Sequence, residues 1–178
     1  MLSTALLDDL IALGKQRWMT AVLADIAAHN GARFVEMVNR LSLPRDTLSR
    51  TLEAALTLGW VMRNPGHGHP LRPEYILGDE GARIAEIAAR QLSAQAQIGL
   101  IPGTLTRWGL PIIHTLNAGF ARFNDVSRVL AVASPRALSQ GLRTLAAHDL
   151  ITRALIDDYP PISLYRLTES GRVLARAA

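Results

Sequence analysis

The chain repeats itself at one fixed spacing. Trp18 and Trp108 lie 90 residues apart, and at that offset Leu48 meets Leu138, Ser49 meets Ser139, Leu52 meets Leu142 and Arg63 meets Arg153. Further along, Pro70 meets Pro160, Tyr75 meets Tyr165, Leu77 meets Leu167 and Gly81 meets Gly171. Arg33-Phe34 matches Arg122-Phe123 one residue out of step, which implies a one-residue insertion or deletion. Matches this dense along one offset read as two copies of a module. The expected division is 1–98, a first module with an N-terminal and a linking helix, and 99–178, a second module. Trp18 and Trp108 are expected at equivalent buried sites.

The second copy shows what the module is. Ser134 is suited to cap a helix and Pro135 to open its first turn. Leu138, Leu142 and Leu145 recur at helical spacing and predict a buried stripe, while Arg136, Ser139, Gln140 and Arg143 face the other way. Leu150 to Arg153 reads as a strand, Asp157 to Pro161 as a turn, and Leu164 to Leu167 as the returning strand. A helix with a polar face, followed at once by a two-stranded ribbon, is the layout of a winged helix. The fold class expected is mainly α with small β wings: two winged helix-turn-helix modules in tandem.

The first copy follows the same order. Leu2 to Leu13 is an apolar-rich helix with Leu6, Leu7, Leu10 and Ile11 on one face. Trp18 to Ala28 is the next, and His29-Asn30-Gly31 turns, since Gly adopts positive φ without strain. Phe34 to Leu41 is a short helix. Pro44 opens the equivalent of the polar-faced helix, which ends near Gly59, and Trp60 to Leu77 is the wing. Glu80 to Gln97 predicts a long helix linking the modules.

The second copy, with Trp108, Arg122-Phe123, SPRALSQGLRTLAAHDLI, a Pro-Pro pair and YRLTESG, resembles the HxlR-type branch of MarR-like winged-helix regulators. The first looks like a diverged copy, with WMTAVLADI, LSRTLEAALTLGWVMR and PEYILGDEG. The resemblance implies a DNA-binding transcriptional regulator with double-stranded DNA as partner. Relatives of this type carry one module and pair as homodimers, so this chain looks like both halves of such a pair fused into an intrachain pseudo-dimer. Pairing of whole chains stays open, as does a small-molecule effector that the sequence does not identify.

Arg136, Ser139, Gln140 and Arg143 are the first candidates for DNA contact, because no acid interrupts Ser134 to His148. Arg reaches guanine bidentately and Gln reaches adenine, while Ser and a helix N-terminus suit phosphate. In the first copy Arg45, Ser49 and Arg50 are candidates, but Asp46 and Glu53 share their surface. The wings offer Arg63 and Arg72, with His67 and His69, and Arg153, with Asp157 and Asp158. For the set on the second copy's helix an ordinary solvated face is the alternative.

Charge separates the copies. Residues 1–98 hold ten Lys or Arg and ten Asp or Glu; residues 99–178 hold nine Arg and five acids, so the whole excess of +4 lies in the second half. An excess this modest does not by itself indicate nucleic acid. With no cysteine, a thiol switch, a disulfide and a Cys-based zinc site are excluded. His67-Gly68-His69 is a weak metal signal, better explained by a surface turn. No cofactor motif or catalytic constellation stands out, so an enzyme is not expected. No apolar run reaches membrane-spanning length and no signal pattern opens the chain, which points to the cytoplasm. A second reading keeps the winged-helix core as a protein-interaction or dimerisation module without DNA binding.

Overall fold

A computed structural model describes residues 3–66, 72–156 and 162–178. The elements run α1 (Thr4–Gly14), α2 (Met19–Ala28), α3 (Phe34–Leu41), α4 (Arg45–Thr57), β1 (Val61–Arg63), β2 (Tyr75–Leu77) and α5 (Asp79–Gln97). The second half continues with α6 (Gly109–Asn117), α7 (Phe123–Val129), α8 (Pro135–Ala147), β3 (Ile151–Ile156), β4 (Ile162–Leu167) and α9 (Glu169–Arg176). Apart from α1, each half therefore carries three helices, an antiparallel ribbon and a closing helix, the winged helix-turn-helix order expected from the repeat.

The correspondence holds residue by residue. In the ribbons Val61 pairs with Leu77 and Arg63 with Tyr75, as Ile151 pairs with Leu167 and Arg153 with Tyr165. An isolated bridge ahead of the second helix widens each ribbon, Ala32 to Tyr75 and Arg122 to Leu164. From 42 to 55 and from 132 to 145, every aligned pair falls in the same burial class. Both α4 and α8 end in the same Schellman turn. Trp60 N–H donates to Ala55 O at 3.0 Å and Leu150 N–H to Leu145 O at 2.9 Å. The turn needs a left-handed residue, which is Gly59 (φ 70°) in one copy and Asp149 (φ 52°) in the other.

The helix starts differ, as the sequence anticipates. Ser134 Oγ accepts from the Ala137 N–H at 3.2 Å, with Pro135 at the first position. Pro44 offers α4 no such side-chain cap.

Packing divides the chain into two compact units: Trp18–Ser93, and Met1–Arg17 with Ala94–Ala178. The N-terminal helix, grouped with the first module from sequence, thus packs with the second: α1 lies on α6. Its buried stripe is Leu7, Leu10 and Leu13 rather than Leu6, Leu7, Leu10 and Ile11. Leu7 and Ala94 join Trp108, Ile112, Leu138, Leu142, Leu145 and Leu174 in one core. In the other unit α2 packs on α3, α4 and β2, burying Val22, Leu23 and Ile26. The expectation of two equally buried tryptophans is not met. Trp108 is 6% exposed, whereas Trp18, at the same position before its helix, is only half-buried.

One glycine in each module is required by close approach. A Cβ on Gly81 would overlap the carbonyl of Trp60, and one on Gly171 the carbonyl of Leu150. The helix after the ribbon is thus seated directly on the backbone that leads into it. Among the described residues no helix is long and apolar enough to cross a membrane.

Two outcomes follow for stability. Gly171→Ala forces backbone apart and should cost about 1–3 kcal/mol, as overpacking does, measured by urea denaturation. His114, in α6, has both ring nitrogens buried without a partner among the described residues, and burial lowers its pKa. The unfolded chain takes up that proton near pH ~6.5 and the folded chain only at lower pH. Between the two the unfolded state holds more protons, so stability falls as pH drops below about 6.5. A denaturation series across pH 5–8 should show this loss, and His114→Leu should flatten it.

Candidate nucleic-acid interface

In α8 the three leucines Leu138, Leu142 and Leu145 are fully or nearly buried, which fixes the opposite side outward. Arg136, Gln140 and Arg143 are exposed on it and Ser139 is half-buried at its margin. The Arg143 Nε donates to the Ser139 carbonyl at 3.3 Å, which holds the side chain along its own helix. Arg136 has no partner among the described residues. Among the described residues neither arginine is paired with a carboxylate, so most of the donors of both guanidinium groups stay unused.

The remaining second-module charges show why this face stays open. Arg128 is paired with Asp125 at 3.3 Å, and Arg172 and Arg176 both reach Glu169, at 3.2 and 3.1 Å. Those bonds hold the Glu169 carboxyl below its ordinary range. Arg107 lies over the Trp108 ring at 5.0 Å. These arginines serve the module's own structure, whereas those of α8 do not.

On α4 the same positions carry a different set. Arg45 and Arg50 are exposed and Ser49 is half-buried, as expected. The Arg45 guanidinium lies 6.0 Å from the Phe34 ring centroid, and Arg50 Nε donates to the Asp46 carbonyl at 3.3 Å. Asp46 stands where α8 has Arg136, and Glu53 where it has Arg143. Both acids are exposed.

The wings use their arginines partly for themselves. Arg63 is 3.3 Å from Glu74 and lies 5.4 Å from the centre of the Tyr75 ring. Burial and Glu74 raise the Tyr75 hydroxyl pKa, and Arg63 opposes them. Arg72 is exposed, and its carbonyl accepts from Arg33 Nε at 3.3 Å. Arg153 donates through Nε and a terminal nitrogen to Ser163 Oγ at 3.1 and 2.9 Å, a bond across the ribbon that holds the guanidinium outward. His67, His69, Asp157 and Asp158 lie outside the described residues. Among the described residues no group of three His, Asp or Glu is placed to hold a metal ion.

Two features escaped the sequence reading. Arg166, exposed on β4 opposite Thr152, adds a wing cation on the ribbon face away from Arg153. Its alternate position relative to Tyr165 was the available signal. The second is a forked ion pair, Arg40 to Asp25 at 2.8 and 2.7 Å, with Asp25 only 8% exposed. The second module has Thr115 and Val129 at these places, so the pair belongs to the first module alone. It ties α3 to α2 across a cleft of about 430 Å³ lined by His29, Arg33, Glu36 and Pro73.

The HxlR-like helix-turn-helix family model matches residues 13–97 and again 104–177. The chain belongs to that family. It carries the family's domain twice. The HTH-type transcriptional regulator YodB of Bacillus subtilis is 31% identical over 68 residues, which cover 38% of this chain and 61% of YodB. The HTH-type transcriptional regulator YtcD of the same organism is 31% identical over 83 residues, 47% of this chain and 64% of YtcD. The chain thus spans somewhat less than two thirds of these relatives' length. The crystal structure of diamide-treated YodB matches with 30% identity and a TM-score of 0.38, over 48% of this chain and 78% of that one.

Proposed function

We propose that this chain is a cytoplasmic DNA-binding transcriptional regulator whose two winged-helix modules read adjacent half-sites of double-stranded DNA as an intrachain pseudo-dimer. The observation that carries the reading is the outer face of α8. Arg136 and Arg143 lie exposed on a capped helix with no acid beside them, seven residues and so two helical turns apart. Such a stripe fits a major groove, with half-sites about 10 bp apart if each module presents its helix in the same way. The family match to both modules and the regulators among the relatives support it. In a pseudo-dimer the divergence between α4 and α8 makes the preferred site asymmetric.

The neutral first half and the acids on α4 favour a second reading, in which a winged-helix core serves protein contact instead. Salt separates the two. Each phosphate neutralised adds about 0.9 to the slope of log affinity against log salt, so a DNA reader shows a steep fall. An affinity for DNA that is weak and indifferent to salt would favour the protein-contact reading.

Two mutational outcomes are expected. Arg136→Ala or Arg143→Ala should each weaken specific DNA binding by about 1–3 kcal/mol where the contact is to a base, measured by fluorescence anisotropy at moderate salt. Removing Arg136 and Arg143 together should cost more affinity than removing Arg45 and Arg50 together, since Arg45 already lies by Phe34 and Arg50 has acids on either side. Both double variants are first checked for fold by circular dichroism and melting. Equal losses would mean that the two helices read DNA as equals.

A further inference from the structure

The two reading helices share one frame but not one chemistry. Residues 42–55 and 132–145 match in burial at every position, and α4 and α8 enter the ribbons through the same turn. Position 53 on its module is therefore the counterpart of position 143 on the other. Arg143 is a donor with no acceptor lone pair, and Glu53 is an acceptor with no donor. The sign is inverted again one end of the stripe away, at Asp46 and Arg136.

Glu53 makes no ion pair within the first module among the described residues, although its charge acts on the Tyr75 hydroxyl of the ribbon. Asp25, Glu74 and Glu80 are held by Arg40, Arg63 and Arg83. The carboxylate of Glu53 is exposed and makes no ion pair and no side-chain hydrogen bond among the described residues. An unpartnered carboxylate in a major groove is repelled by guanine, whose edge there offers only the N7 and O6 acceptors. It is satisfied by an amino group. Cytosine presents N4 alone, whereas adenine presents N6 beside the N7 acceptor, which would face the second carboxylate oxygen unfavourably.

We infer that Glu53 is a specificity-determining residue that selects cytosine, so that α4 reads the inverse of the base pair that Arg143 of α8 reads as guanine. This inference rests on the DNA-reading role proposed above. The two half-sites then differ at one equivalent position by an inverted G·C pair, and the chain discriminates against a perfect palindrome.

Selection from a random duplex pool tests this with the full chain and three variants, Glu53→Arg, Glu53→Gln and Arg143→Glu. All three changes fall on exposed positions, and circular dichroism verifies the folds. Arg143→Glu shows which half-site belongs to α8, because its guanine should give way to cytosine there. In the other half-site the unchanged chain should enrich cytosine about tenfold over the other bases at the equivalent position. Glu53→Arg should replace that cytosine by guanine and make the half-sites alike, and Glu53→Gln should move the preference to adenine. If the α8 half-site is enriched while the other is indifferent at that position and unaltered by both Glu53 variants, Glu53 does not read a base. That result overturns this inference and leaves DNA reading by the second module standing. If no sequence is enriched by any form of the chain, the DNA-reading role falls too.

Discussion

Everything that the outer surface of each module can do depends on the buried leucine register of its polar-faced helix. Leu138, Leu142 and Leu145 face inward in α8, and Leu48, Leu52 and Ala55 do so in α4. A helix anchored at three points on one side has no rotational freedom left. Burying one such leucine is worth about 1.5–3 kcal/mol, so a turn of the helix that exposed two of them is out of reach of any surface interaction. Arg136 and Arg143, like Asp46 and Glu53, are consequently presented by the core and not by their own contacts. The glycines against the ribbon-leading carbonyls complete the frame by fixing where the closing helix sits.

Within that frame the acids are distributed unevenly. In the second module Asp125 and Glu169 are taken up by Arg128, Arg172 and Arg176, at the surface of the same helices. Exposed pairs of this kind add little stability, but they remove acids from competition with the cations of α8. In the first module the deepest carboxylate, Asp25, is held by the fork of Arg40. A half-buried pair with this geometry matters mainly when it is broken, since the partner left behind is an uncompensated charge. Net charge by half therefore understates the difference between the outer faces of α4 and α8, which is one of arrangement as much as of number.

Much of this was legible in the sequence because it rests on local rules. The offset of 90 residues carried over to the ribbon register, and Ser134-Pro135 gave the start of α8. Gly59 marked the end of α4. At the equivalent place Asp149 adopts the left-handed conformation although a glycine suits it better, so the same turn was less visible there. The partner of α1 was not legible. Its apolar spacing shows that one face is buried but not against what, and the choice of α6 is a tertiary fact. The forked Arg40–Asp25 pair was hidden for a similar reason: fifteen residues separate its members, and no periodicity joins them. Which arginines remain available on the surface was also beyond the sequence, since that depends on which acids lie within 4 Å of the others.

The continuity of the chain through α5, an unbroken helix from Asp79 to Gln97 that ends among the residues of the other unit, has a consequence for how such a protein changes over time. Where two identical chains associate, every substitution in a reading helix is present twice, and its effect on a twofold site is doubled. With both modules on one polypeptide the substitution occurs once. The free-energy step of a single change is then half as large, and one surface can drift while its neighbour keeps the old preference. Asp46 and Glu53 stand on α4 where α8 carries Arg136 and Arg143, a difference that two copies of one chain could not hold.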